Sequence, residues 1–268
     1  MLKTRILTAL LGIPIIFICI YLGGWLFFSL MFLVNFFCIK EYLNICKKYN
    51  PSVFISLILG ALYFISLSFH QKQSIEMLMF EAVVIFLVFF VLEIYRQKPN
   101  NATERICVSF FGTFFFPTTL SFMIFIRELY SGGEYIFLFF ITVWVLDTAA
   151  YAAGKKFGKH KLSPSISPKK TVEGAAAGLI FGIITSIVIG NFVFDLFTIK
   201  QAALLGLIIA ICGQFSDLAE SLIKRDADIK DSGKILPGHG GVLDRFDSYF
   251  FAAPIVYFVL VFLQGSNY

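Results

Sequence analysis

Long uninterrupted apolar runs constrain this chain more than any motif does. They fall at roughly 5–22, 24–39, 52–70, 76–95, 106–126, 135–154, 172–194, 201–223 and 249–264. A helix that crosses the hydrocarbon core of a bilayer needs about 20 mostly apolar residues. Runs of this length leave two outcomes, a membrane span or a deeply buried helix. The charged fraction decides between them, since only 15% of the residues are charged against about 25% in soluble domains. So few charges do not coat a soluble protein built on nine apolar helices. The expected fold class is therefore all-α, a polytopic transmembrane helix bundle of about nine membrane-spanning helices.

The runs divide into an N-terminal region over 1–130, with about five spans, and a C-terminal region over 131–268, with about four. The first two runs meet at Gly23-Gly24, which reads as a tight turn, and Pro51 is expected to open the third helix. The first run is longer than the apolar part of a signal peptide and no small-residue cleavage site follows, so an uncleaved first helix is expected. The five cysteines, Cys19, Cys38, Cys46, Cys107 and Cys212, form no CxxC pair and read as small buried apolar residues.

The net charge of +5 is spread over short loops, which argues against a nucleic-acid partner and for the bilayer. Basic residues favour the cytoplasmic side of a membrane. Lys3 and Arg5 place the N-terminus inside. Lys40, Lys47 and Lys48, then Arg96, Lys98 and Arg105, then Lys155 to Lys170, then Lys224 to Arg245 fall on the same side. The opposite loops hold only Lys72, Arg127 and Lys200. With nine spans the C-terminus, Gln264 to Tyr268, lies outside.

Twelve of the 39 charged residues lie between Asp217 and Asp247. Most charge runs are solvated loops, but this one begins inside an apolar run. Asp217, Ser221 and Lys224 stand at i, i+4 and i+7, on one face of a helix. An ionised group at membrane depth costs on the order of 2.5–3.5 kcal/mol, which marks Asp217 as a functional candidate. Asp244 and Asp247 are three apart at the start of the last run. Beside Asp217 they form a carboxylate cluster in which each like-charge pair costs roughly 3 kcal/mol at ~6 Å. Such a cluster must bind a cation, bind protons or not form, and Mg²⁺ takes one or two carboxylates together with substrate phosphates. Lys224, Arg225, Lys230 and Arg245 suit those phosphates. Between them, Pro237-Gly238-His239-Gly240-Gly241 is a loop whose backbone N–H groups can approach an anion.

A second constellation precedes the first. Trp144, Asp147, Tyr151, Gly154 and Gly158 recur near one helical face, among Ala149, Ala150, Ala152 and Ala153, which suit close helix packing. Ser167-Pro168-Lys169-Lys170-Thr171-Val172-Glu173-Gly174 then leads into the seventh run. Thr171 is placed to cap that helix, with Lys169 and Lys170 beside its phosphate-favouring N-terminus.

At these residues the chain resembles the phosphatidate cytidylyltransferase family, the CDP-diacylglycerol synthases. The family pattern S-x-x-K-R-x4-K-D, a spacer, then H-G-G-x-x-D-R-x-D is filled at Ser221, Lys224, Arg225, Lys230, Asp231, His239, Gly240, Gly241, Asp244, Arg245 and Asp247. The segments around Asp147 and Lys170 are similar to the family as well, and the first five runs match in hydropathy and size alone. The resemblance implies transfer of CMP from CTP to phosphatidate, giving CDP-diacylglycerol and pyrophosphate. It implies Mg²⁺ on Asp217, Asp244 and Asp247, with Lys224 and Arg225 joining them in catalysis. Substrate contacts are expected from Asp147, Lys169, Lys170, Ser221, Lys230, His239, Gly240, Gly241 and Arg245. It further implies a second, monovalent cation such as K⁺, a homodimer, and a site facing the cytoplasm from the inner membrane.

Two other readings compete. A lipid-alcohol kinase needs a hydroxyl acceptor and a base. An ion-coupled transporter, to which Glu81 and Asp147 lend themselves, places its site near the midplane, often between repeats. Here the acids gather at one face among bases, and no repeat is visible.

Overall fold

A computed structural model describes residues 2–69, 75–238 and 240–265, with the backbone alone for residues 2–9, 11, 75 and 265. His239, Lys72 and residues 266–268 lie outside the described residues, as do the side chains of Lys3 and Arg5. The elements are α1 (Leu2–Leu22), α2 (Gly24–Ile45), α3 (Val53–Phe69), α4 (Ile75–Arg96), α5 (Ala102–Glu128), α6 (Gly132–Phe157), β1 (Lys161–Ser163), β2 (Ser167–Thr171), α7 (Val172–Ile187), α8 (Ile199–Asp226), α9 (Leu243–Phe246) and α10 (Tyr249–Gly265). Every expected span falls on a helix. Among the described residues seven helices are long and apolar enough to cross a membrane, and the apolar parts of α1 (Gly12–Leu22) and α3 are shorter. Length and composition thus account for seven crossings where nine were expected. The chain is a multi-pass membrane protein, and large apolar side chains such as Phe54, Phe80, Phe192 and Phe262 stand exposed on its surface. In water that surface is costly; against acyl chains it is not.

Two departures from the expected helices bear on the functional residues. The polar stretch after α6 contains a two-stranded antiparallel hairpin, pairing Lys161 with Thr171 and Ser163 with Ser167. The last span does not begin as one helix: α9 ends at Phe246, and Asp247 and Ser248 form a turn before α10. Smaller differences arise from backbone geometry. Gly23 and Gly24 both have positive φ, 62° and 50°, which lets α1 and α2 meet without a linker. Pro51 stands two residues ahead of α3 rather than at its first turn.

The chain divides into two compact units. The first comprises Met1–Phe125 and Asp226–Arg245. Its interior is aromatic: Phe28 stacks on Phe64 at 5.9 Å, and Tyr63 and Phe110 stack on either side of Phe114 at 5.5 and 5.3 Å. Tyr63, Leu67, Ile85, Phe89 and Ile106 join α3, α4 and α5 in one cluster. A buried ion pair closes the α4–α5 corner, with Arg105 2.7 Å from Glu93. Arg105 also donates to the carbonyls of Asn100 and Lys98. The guanidinium is thus paired and hydrogen-bonded together, which is what burying it requires.

The second unit comprises Ile126–Arg225 and Phe246–Tyr268. It is organised by absent side chains. Gly174, Gly178, Gly182, Ser186 and Gly190 recur every fourth residue along α7 and its continuation as a π-helical turn over Val188–Val193, and all five are buried. A Cβ on Gly174 would lie 2.6 Å from the Ala150 carbonyl oxygen, and one on Gly178 3.1 Å from that of Leu146. On α8, a Cβ on Gly206 would lie 2.6 Å from Ser186 Cβ and 2.8 Å from Ile183 Cα. Small residues bring helices together in lipid, where no hydrophobic force drives them. The close approach of α6, α7 and α8 sets the walls of the site.

Candidate active site

The second unit holds a cavity of about 610 Å³. Asp147, Tyr151 and Lys155 line it from α6; Lys161, Lys169 and Lys170 from the hairpin; Gly174 and Ala175 from α7; Gln214 and Asp217 from α8. The hairpin is secured at both ends. Thr171 caps α7, its Oγ1 accepting from Gly174 N at 3.1 Å, as expected from the sequence. Glu173 accepts the backbone N–H groups of Lys159 and His160 at 3.1 and 3.2 Å, and its Oε1 lies 2.6 Å from His160 Nδ1. Arg225 Nε donates to the Ile166 carbonyl at 3.0 Å, fixing the tip to the end of α8. Gln214 Nε2 donates to the Ala175 carbonyl at 3.2 Å, tying α8 to the first turn of α7.

Four lysines and two aspartates therefore face one cavity, and two of them already touch: Lys170 Nζ lies 2.5 Å from Asp217 Oδ2. Both side chains keep about a quarter of their surface accessible, 29% and 26%, but Lys170 Nζ itself is buried, so the pair must part before the ammonium meets an anion. Cationic excess on the walls and carboxylates at the side suit a polyphosphate that arrives with a metal.

Along α8, Ser221 and Lys224 are buried. Lys224 Nζ pairs with Glu220 Oε2 at 2.5 Å, a partner the sequence reading passed over although Glu four residues before Lys is a favourable helical pair. Asp247 is half-buried in the turn after α9. Its Oδ1 accepts from Ser248 N at 2.8 Å, and its carbonyl accepts from Ser216 Oγ, which itself accepts from Phe251 N. Asp217, Glu220 and Asp147 are the acids whose charge reaches Asp247, with Lys224 opposing them. Asp217 and Asp247 both belong to the second unit.

The remaining signature residues belong to the first unit. Lys230 and Arg245 are exposed. Gly240 has φ +82°, and a Cβ there would lie 2.6 Å from Asp244 Oδ2. The glycine-rich loop does bring backbone N–H groups to an anion, but here the anions belong to the protein. Gly241 N donates to Asp244 Oδ2 at 2.8 Å. Val242 N and Leu243 N donate to Glu41 at 3.1 and 2.8 Å. Glu41, on α2 and 2% exposed, had no place in the sequence reading. Among the described residues no group of three or more His, Cys, Asp or Glu is arranged to hold a metal ion.

Comparison with known proteins identifies the family. A match to the cytidylyltransferase family runs over residues 3–263, so it takes in the first five helices, where the sequence had shown likeness in hydropathy and size alone. The chain is 36% identical to the phosphatidate cytidylyltransferase of Staphylococcus haemolyticus, over 97% of this chain and 99% of that protein. It is 34% identical to the protein of that name from Staphylococcus saprophyticus and 35% to that of Staphylococcus aureus, with the same coverage of both chains. With a family match over residues 3–263 and relatives of about 35% identity over nearly the whole length, this chain belongs to the cytidylyltransferase family.

Proposed function

We propose that the chain is a phosphatidate cytidylyltransferase, which transfers CMP from CTP to phosphatidate and releases pyrophosphate in phospholipid biosynthesis. The observation that carries this reading is the cavity in which Lys155, Lys161, Lys169 and Lys170 face Asp147 and Asp217, in a chain whose full-length relatives bear that name. In the reaction a phosphate oxygen of phosphatidate attacks the α-phosphorus of CTP, and the bond to the pyrophosphate oxygen breaks. Phosphatidate is ionised near neutral pH, so no general base is required. Little covalent work falls to the protein, and alignment and charge neutralisation carry the catalysis. Lys169 and Lys170 hold CTP phosphates, Lys155 and Lys161 offset the charge of the second anion, and the Thr171-capped start of α7 adds a favourable dipole.

Asp217 and Asp247 fit Mg²⁺, which takes one or two carboxylates and completes its shell with phosphates and water; the third carboxylate, Asp244, is assigned from the signature alone. Bound there, the ion would neutralise charge on the leaving pyrophosphate. A second cation such as K⁺ and a homodimer are part of the same proposal on resemblance. So is a site at the cytoplasmic face of the inner membrane, reached by CTP from solution and by phosphatidate from the inner leaflet.

The test is incorporation of labelled CTP into lipid by the purified protein, with and without phosphatidate and Mg²⁺. Labelled CDP-diacylglycerol that requires both is expected. A phosphorylated lipid alcohol in its place, or no lipid product, would overturn the proposal.

A further inference from the structure

The buried carboxylate of Glu41 lies far in sequence from every signature residue, yet among the described residues its hydrogen bonds go to Ser232, Val242 and Leu243. Its Oε1 accepts from Val242 N, and its Oε2 accepts from Leu243 N and lies 3.0 Å from Ser232 Oγ. The same Ser232 Oγ lies 3.0 Å from Asp244 Oδ2, which also accepts from Ser232 N at 2.9 Å and from Gly241 N at 2.8 Å. All of these residues belong to the first unit.

Three features separate this arrangement from an ordinary buried polar contact. First, a hydroxyl has one proton and here stands 3.0 Å from two carboxylate oxygens, so Glu41 and Asp244 compete for a single donor. Second, the loop is shaped around Glu41: a Cβ on Gly233 or on Gly241 would run into its carboxyl group. Third, a buried carboxylate is tolerated when several N–H and O–H groups point at it, and those donors come from a segment with little regular structure, which has few other ways to hold one geometry. Lys48, just past the end of α2, also reaches the end of α8, its Nζ lying 2.8 Å from the Asp226 carbonyl and 3.0 Å from Asp226 Oδ2.

We propose that Glu41 is a positioning residue that holds the Ser232–Leu243 loop, and through Ser232 the carboxylate of Asp244, in the arrangement that cytidylyl transfer uses. The role of Asp244 rests on the function proposed above; the clamp itself does not. Replacing Glu41 by Gln keeps its size but sets an NH₂ group against backbone donors, so the loop loses acceptors it cannot replace.

The experiment compares the unaltered protein, Glu41→Gln and Ser232→Ala, each full-length in lipid–detergent micelles. Hydrogen exchange is followed by mass spectrometry, and initial rates are measured against CTP, phosphatidate and Mg²⁺. In Glu41→Gln, exchange of peptides covering 232–246 is expected to quicken about tenfold or more, with peptides from α6 to α8 unchanged. Turnover should fall about tenfold or more, KM for CTP should change less than about threefold, and half-saturating Mg²⁺ should rise. Ser232→Ala should shift all of these in the same direction by less, and it decides the matter if Glu41→Gln fails to fold. Unchanged exchange in the loop overturns the clamp. Faster exchange at full turnover, or a loss confined to KM for CTP, overturns the positioning role. A wild-type protein that makes no CDP-diacylglycerol overturns the transferase reading and the positioning role together, while the exchange arm still reads the clamp.

Discussion

Lys170 Nζ and Asp217 Oδ2 stand 2.5 Å apart on the wall of the lysine-lined cavity, so the residue proposed for a phosphate and the residue proposed for a metal hold each other when neither ligand is bound. Mg²⁺ at Asp217 and a CTP phosphate at Lys170, bound as proposed, would give each a new partner, so that neither charge would be left alone. Without the lysine, Asp217 keeps about a quarter of its side-chain surface open to solvent, 26%, and is not left as a fully buried charge. Lys170→Ala should therefore leave folding nearly intact. It is expected to raise KM for CTP about tenfold while most of the rate returns at saturation, because the lysine holds phosphate in ground and transition states alike. Initial rates against CTP measure this. An unchanged KM for both substrates removes the hairpin from the site.

Asp247→Asn keeps the shape of the side chain and its bond from Ser248 N while removing a charge. Turnover should fall roughly 100- to 1,000-fold, the loss of a few kcal/mol of transition-state stabilisation. The purified variant should elute and melt like the unaltered protein. Near-normal turnover at saturating CTP, phosphatidate and Mg²⁺ would remove Asp247 from the metal-binding role.

Gly206→Val should destabilise the second unit. Its added carbons meet Ser186 and Ile183, neither of which is the end of a flexible chain, and overpacking of this kind costs about 1–3 kcal/mol. Gly12→Ala is the control, since no heavy atom lies within 4 Å of the added Cβ. Thermal unfolding in detergent should show a lowered midpoint for the first and no change for the second. Equal midpoints would show that α7 and α8 do not meet as described.

Reporter fusions test the proposed orientation. A reporter inserted in the hairpin turn at Ser165 should read as cytoplasmic, and one at the C-terminus as outside. Both on one side would refute a scheme of nine crossings with the N-terminus inside.

The spans were legible because the length of an apolar run is a local property, readable one window at a time. The cap at Thr171 was legible for the same reason. The hairpin was not: Lys161 to Thr171 is built mostly of Lys, Ser and Pro, and Glu173 and Arg225 hold it from outside. Glu41 was hidden by separation. Beside Lys40, at the end of an apolar run, it looks like any charge at a membrane boundary, and its partners lie about 200 residues further on. The break between α9 and α10 was missed because Asp247 and Ser248 interrupt a pattern that helical spacing carries across them.

The four-residue ladder from Gly174 to Gly190 has a consequence for how this segment can change over time. Each residue turns a helix by about 100°, so one codon gained or lost between Gly174 and Gly190 would swing every later rung away from α6 and α8. Outward positions such as Ile180, Phe181 and Ile184, which are exposed, admit other apolar residues freely. Between those rungs the segment is therefore open to substitution and closed to any change of length.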